Sequence, residues 1–204
     1  MSPTLLPYGD RAWLIETDDA PARLAQWLRA QTWPAGTEVV AGARTCLLRF
    51  AGPAPAMAEI RGLLSGAAAL SEHRGTEAAP VILPVRYDGE DLGTVAEAVG
   101  MSRDAVIAQH AAATYRVAFL GFAPGFAYLT GLPLPLHLPR RDVPRVRVPA
   151  GAVAIADEYT AVYPRPSPGG WHLLGRCDEW LFDPDRRPPS RLRSGLRVRF
   201  EAVG

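Results

Sequence analysis

Residues 114–131 read TYRVAFLGFAPGFAYLTG, and the fold turns on this stretch. Just upstream, Val106, Ile107 and His110 share one face of a helix that Ser102 can cap, while Asp91 and Gly100 bracket a shorter helix as N-cap and C-terminal stop. From Thr114 onward the helical spacing disappears. TYRVAFLG, AVAIAD, TAVYP, WHLLGR, EWLFDP and LRVRFEAV are short β-like runs punctuated by Gly, Pro and Asp. A succession of such runs favours a compact barrel over a parallel α/β sheet.

The first 78 residues read differently. AWLIET (12–17) has strand composition, APARLAQWLRA (20–30) puts Leu24, Trp27 and Leu28 at helical spacing, and TEVVAG and TCLLRF give two more strands. Met57, Ile60, Leu63 and Leu64 line a second helix. The order β-α-β-β-α followed by PVILPVRY suggests a ferredoxin-like split βαβ arrangement. SGAAALSEHRGTEAAP (65–80) begins as the end of that helix and becomes a polar linker. The expected class is therefore α+β, with a small N-terminal domain over 1–78 and a barrel domain over 79–204.

Composition narrows the function. The 204 residues carry 22 basic and 21 acidic side chains, a formal net charge of +1, so the total gives no nucleic-acid footprint. No apolar run approaches the ~20 residues that span a bilayer, and the N-terminus lacks a basic segment followed by an apolar run; the reading is a cytoplasmic protein. Cys46 and Cys177 have no partner at zinc-site spacing, and His73, His110, His137 and His172 form neither HExxH nor HxH, so no metal site is expected. All 22 basic residues are arginine. Without lysine there is no P-loop, no Schiff-base catalyst and no biotin-carrying residue.

Three segments concentrate special residues. In PRRDVPRVRVPAG (139–151) an extended backbone would place Arg145 and Arg147 on one face and Val146 and Val148 on the other, a basic stripe over an apolar floor. Pro139, Pro144 and Pro149 stiffen it. Such a ribbon suits a carboxylate or phosphate, because guanidinium can make two parallel hydrogen bonds; an edge strand whose arginines are solvated or paired with Asp142 and Asp157 is the alternative. In YPRPSPGGWHLLGR (163–176), Gly169-Gly170 can form a nest of backbone N–H groups, with Ser167 adding a hydroxyl, or simply a tight turn into the strand anchored by Trp171. His172, opposite Trp171 in that strand, is left free to face a cleft, whereas His110 on an apolar helix face reads as a hydrogen-bonded core residue or a base. In GFAPGFAYL, Gly121 and Gly125 permit unusual backbone, Pro124 stiffens the turn, and Phe122, Phe126 and Tyr128 offer ring surface for a barrel corner, a pocket wall or a contact with another chain.

FLGFAPGFAYLTGL, PRRDVPRVRVPAGAVAI, YPRPSPGGWHLLGR and IAQHAAATYRV together closely resemble the family of 5-oxoprolinase B subunits, also called the allophanate hydrolase subunit 1 or KipI-like family. LPYGDRAWLIE and LPVRYDGEDL extend the likeness over nearly the whole chain. Ala152, Cys177 and Leu196 depart from it, standing where the family tends to have Ser, Thr and Asp. The resemblance implies a small α+β domain followed by a cyclophilin-like β-barrel, in one subunit of an ATP-dependent enzyme that opens the lactam of 5-oxoproline to give glutamate. It implies partners: a second cyclophilin-like chain, the 5-oxoprolinase C subunit, and a barrel-type chain, the 5-oxoprolinase A subunit. Arg140, Arg145 and the Ser167–Gly170 turn are then expected to line an anion cleft for a small-molecule substrate. Phe122, Pro124, Gly125 and Tyr128 would form its wall or meet the adjoining chain, and His110 and His172 are further candidates. A KipI-like inhibitor of a sensor histidine kinase is the alternative; a role in urea or allophanate metabolism finds no biotin-carrier lysine or amidase signature.

Overall fold

A computed structural model describes residues 3–17, 21–67 and 79–204. The chain divides into two compact units, Met1–Glu77 and Ala78–Gly204. Most of the 65–80 linker reading, and His73, lie outside the described residues.

In the first unit, β1 (Thr4–Pro7), β2 (Ala12–Glu16), α1 (Pro21–Arg29), β3 (Glu38–Ala41), β4 (Thr45–Arg49) and α2 (Met57–Ala67) follow one another. The sheet order is β1-β2-β4-β3, antiparallel throughout. Strands β2 and β3, joined through α1, flank β4. The strand at 81–85, which the order of elements attached to this arrangement, takes no part; Thr4–Pro7, unassigned by pattern, holds the edge beside β2. Alternation explains the core: Ile15, Cys46 and Leu48 are buried, as are Leu24 and Leu28 of α1 and Ile60 and Leu64 of α2.

The second unit contains β5 (Val81–Val85), α3 (Leu92–Ala98), α4 (Arg103–Ala112), β6 (Tyr115–Leu120), β7 (Ala127–Thr130), β8 (Arg145–Val148), β9 (Ala152–Ala156), β10 (Tyr159–Val162), β11 (Ser167–Gly169), β12 (His172–Arg176) and β13 (Arg197–Ala202). Seven strands form one sheet in the order β12-β9-β10-β7-β6-β13-β5. Every pairing is antiparallel except β13 with β5. The two ends meet through a reciprocal pair of backbone bonds, Arg86 N–H to Arg176 O (2.9 Å) and Arg176 N–H to Arg86 O (2.7 Å), so the sheet curls into a nearly closed barrel. Gly175 sits at that seam because a Cβ there would stand 2.1 Å from Arg86 O. EWLFDP is not a strand; only an isolated bridge between Phe182 and Ser190 survives of it, flanked by Pro184, Pro188 and Pro189, which cannot donate to a ladder.

Strand β9 is buried along its whole length because both faces are covered. Val153 and Ile155 point into the barrel with Leu83, Val117, Leu129, Val162, Leu174 and Phe200, and Val95 and Val106 of α3 and α4 join them. Ala152, Ala154 and Ala156 face outward beneath a second layer built from Phe126, Tyr163, Trp171, Val148 and Leu173. Alanine on that face leaves room for rings, and the two-stranded ribbon β8–β11 lies alongside this layer.

Candidate functional site

The arginine run and the twin-glycine segment are brought together. Strand β8 pairs antiparallel with β11, setting Gly169 opposite Arg145 and Ser167 opposite Val148. The expected valine floor does not form: Val148 is fully buried in the outer layer, whereas Val146 is 93% exposed, because only the ribbon's end reaches the aromatic rings. Nor does the nest. Ser167–Gly169 is extended as β11, and neither Gly169 nor Gly170 has a positive φ, so the backbone N–H groups do not converge. A Cβ on Gly169 would stand 2.3 Å from the Tyr163 hydroxyl; glycine here admits a tyrosine. The Ser167 hydroxyl is spent on Arg165 O (3.1 Å).

The chemistry gathers instead around Asp91. This residue opens α3 as expected, but its side chain makes no capping bond. Its backbone N–H donates to Leu173 O (3.1 Å) and its Oδ2 accepts from Leu173 N–H (2.7 Å), which hooks the start of α3 onto β12. Its Oδ1 accepts from Arg141 Nη1 (2.7 Å) and Arg145 Nη2 (2.9 Å), and Arg145 Nη2 also reaches Glu90 (3.1 Å). The Asp91 carboxylate is almost completely buried, while Glu90 is exposed. Burial alone would push the Asp91 carboxyl up, yet hydrogen bonds from Arg145 and the Leu173 N–H, with the charges of both arginines, hold it below the usual carboxylate value. Two guanidiniums thus share one buried carboxylate. Buried Arg141 Nε and Arg145 Nη1 have no hydrogen-bond partner, leaving two donors unmet.

His172 belongs to the same neighbourhood. Arg141 N–H donates to Gly170 O (2.8 Å), and His172 Nε2 lies 2.9 Å from Pro139 O. A carbonyl can only accept, so Nε2 is the donor, and Nδ1 is buried and without a partner. His110 is elsewhere, wholly inside the barrel. Thr160 Oγ1 donates to Ala154 O (3.0 Å), so it accepts from His110 Nε2 (2.9 Å), and Nδ1 accepts from the Tyr87 hydroxyl (2.8 Å). Tyr115 donates to His110 O, and the imidazole stacks on Phe200. Every polar atom of that side chain is satisfied in the neutral form, and burial lowers its pKa to about 3. Sealed in this way, His110 touches no surface cleft.

The GFAPGFAYL segment forms the turn between β6 and β7. Gly125 (φ 79°) packs against Phe182, Phe126 is buried against Tyr163 and Trp171, and Tyr128 stacks on Phe119 at 4.3 Å. Phe122 holds φ 66° and remains 60% exposed, and Pro124 is exposed beside it. Arg140 is largely exposed, 3.9 Å from Asp157, and its charge is felt at the Tyr128 and Tyr163 hydroxyls. Arg140 and Arg145 therefore take different partners. The residues missed by pattern are Asp91 as an anchor and Arg141 as its partner. They lie 50 positions apart, and a carboxylate before a helix reads first as a cap, so no local signal pairs them.

Comparison with known proteins places these features. Residues 3–192 match the family described as carboxyltransferase domain, subdomain C and D. A curated relative from Escherichia coli O157:H7, named as the B subunit of 5-oxoprolinase, is 47% identical over 133 residues, covering 64% of this chain and 61% of that protein. The chain thus spans about three fifths of the length of that relative. The crystal structure of TTHA0988 superposes with a TM-score of 0.80 at 40% identity over 95% of this chain and 40% of that one. The Kluyveromyces lactis urea carboxylase shares the fold at 21% identity, with a TM-score of 0.65 over 99% of this chain and 22% of its own.

Proposed function

Because the chain belongs to the carboxyltransferase-domain family, subdomains C and D, and within it to the group of 5-oxoprolinase B subunits, we propose that it is one subunit of an ATP-dependent assembly that hydrolyses 5-oxoproline to glutamate. The observation that carries the reading to residues is the pair Arg141 and Arg145, held by buried Asp91 and each still partly open to solvent. A carboxylate anchors both guanidiniums from behind, so little is lost to side-chain ordering when a second carboxylate arrives from the solvent side. The substrate carries such a group next to the ring.

A five-membered lactam is a resonance-stabilised amide whose reclosure is entropically easy, so its opening needs coupling to ATP, which supplies a way to turn the amide oxygen into a leaving group. The extended Ser167–Gly169 strand and the Tyr163 hydroxyl against Gly169 do not fit a phosphate. In this reading the nucleotide is held by a companion, the A or the C subunit, in the cytoplasm, and this chain orients the substrate. The cyclophilin-like name for the second unit belongs to the same reading and is supported by its seven-stranded, nearly closed sheet. No observation favours the kinase-inhibitor alternative.

The test is reconstitution of the purified chain with the A and C subunits, following glutamate and ADP together. Activity is expected only with the companions; full activity from this chain alone overturns the shared site. Arg141→Ala is expected to raise KM for 5-oxoproline at least tenfold, about 1.4 kcal/mol of lost binding; an unchanged KM removes the arginine pair from substrate binding.

A further inference from the structure

Arg141 and Arg145 meet the same carboxylate, but their backbones are not held alike. Arg145 lies in β8 opposite Gly169 of β11, so the ribbon fixes it. Arg141 lies outside any strand, on a strap that leaves the barrel at Leu138, where Asp157 N–H donates to Leu138 O, and enters β8 at Arg145. Pro139 and Pro144 have no N–H with which to tie the strap down. It is tied at two points between them, both on residues that open β12. Arg141 N–H donates to Gly170 O (2.8 Å), and the Pro139 carbonyl accepts from His172 Nε2 (2.9 Å).

The same stretch of chain holds the anchor. Leu173 N–H donates to Asp91 Oδ2, and Leu173 O accepts from Asp91 N–H, so residues 170–173 set both the carboxylate and the strap whose arginine it binds. Gly170 and Leu173 act through backbone groups alone. Trp171 and Leu173 turn into the outer aromatic layer, so His172 between them turns the other way and is the member that reaches the strap with its side chain. Its Nδ1 is buried and unpartnered. An unmet buried polar atom is costly, and an apolar ring would fill the same space without that cost; the bond made by Nε2 is what accounts for an imidazole here.

We propose that His172 is a positioning residue: by donating to Pro139 O it clamps the strap and so sets the Arg141 guanidinium where it receives the substrate carboxylate. This rests on the reading that the arginine pair binds 5-oxoproline. With its backbone clamped and its guanidinium on Asp91, Arg141 has little left to order when substrate arrives. With the strap loose, that ordering has to accompany each binding event. His172 acts through Arg141 and does not touch the reacting atoms, so its removal weakens substrate binding and leaves the chemical step alone.

Two measurements test this. Hydrogen exchange of the Arg141 backbone amide, followed by NMR on the full chain, needs no companion subunit. His172→Ala and His172→Phe are each expected to speed that exchange roughly tenfold or more while the amides of β9 keep their protection. His172→Gln, whose amide nitrogen stands as many bonds from Cα as Nε2 does, is expected to keep the wild-type rate. In the reconstituted complex, His172→Ala is expected to raise KM for 5-oxoproline about fivefold with kcat within about twofold of wild type, and to raise it no further when Arg141→Ala is already present. Unchanged Arg141 exchange in His172→Ala overturns the clamp, as does protection kept by the Phe variant and lost in the Gln variant, which would make ring packing the cause. KM losses that multiply in the double variant separate His172 from Arg141, and a fall in kcat at unchanged KM moves it into the chemistry; either result overturns the positioning role. An unchanged KM in Arg141→Ala alone removes the arginine reading and this role with it, while the exchange rates still decide whether the strap is clamped.

Discussion

Inside the barrel, His110 has a partner for each ring nitrogen and no charge; on the outer side, Asp91 holds two charged arginines that retain unpartnered donors. Both groups are buried and both are polar, yet one network is closed and the other open. A closed network serves the fold, since adding a proton or a ligand can only break it. An open network bound to a rigid anchor has capacity for another group. The difference is one of hydrogen-bond accounting, and burial alone does not reveal it.

Removing the anchor should produce the largest effect. Asp91→Ala would leave two guanidiniums facing each other and strip the Leu173 N–H of its acceptor, so a loss of about 4 kcal/mol is expected, in the range for breaking a buried pair. Denaturant unfolding measures it. A loss below about 1 kcal/mol would mean that water replaces the carboxylate freely, and the contrast with the sealed barrel interior would then disappear. Asp91→Asn is expected to keep part of the geometry and to fall between the two.

The second prediction separates the regions by pH. The folded pKa of His110 lies near 3, below its ordinary 6.5, so the unfolded chain binds the proton first. Stability is full above the unfolded value and falls with decreasing pH by up to ~1.4 kcal/mol per unit until the folded value is reached, roughly 3 kcal/mol by about pH 4.5. The folded pKa of Asp91 is also depressed, from 3.8, so its contribution is present above that value and is lost as pH falls through the folded one. The two arms occupy different windows. In His110→Gln the decline between about pH 6.5 and 4.5 should flatten, whereas the Asp91 variants should retain it. An unchanged acid limb in His110→Gln would place the titrating group elsewhere.

These regions were not equally legible in the sequence. Short β-like runs punctuated by Gly, Pro and Asp marked the strands now seen as β9, β10, β12 and β13, because each lies in the barrel wall between turns, and the Ser102 cap is in place, accepting from Ala105 N–H at 3.1 Å. The edge strand Thr4–Pro7 escaped because only Leu5 of its four residues is buried. The split of β8 into one covered and one exposed valine also escaped, since period-two reasoning gives the face of a side chain and says nothing about what covers it. The Asp91 cluster depends on contacts 50 to 82 positions apart, and no local pattern encodes those. Arg145 stood out through its prolines, whereas its partner did not.

Gly169 offers the finest test of that comparison, because the sequence allowed it two roles and the structure supplies a third. If the glycine exists to admit the Tyr163 hydroxyl, Gly169→Ala forces a Cβ to within 2.3 Å of that oxygen, and overpacking of this kind costs about 1–3 kcal/mol. Tyr163→Phe removes the offending atom, leaving the ring carbon at 3.1 Å as the nearest neighbour. The double variant should therefore be more stable than the sum of the single losses predicts by about 1 kcal/mol, a coupling that denaturant melts resolve in a double-mutant cycle. Additive losses would separate the glycine from the tyrosine.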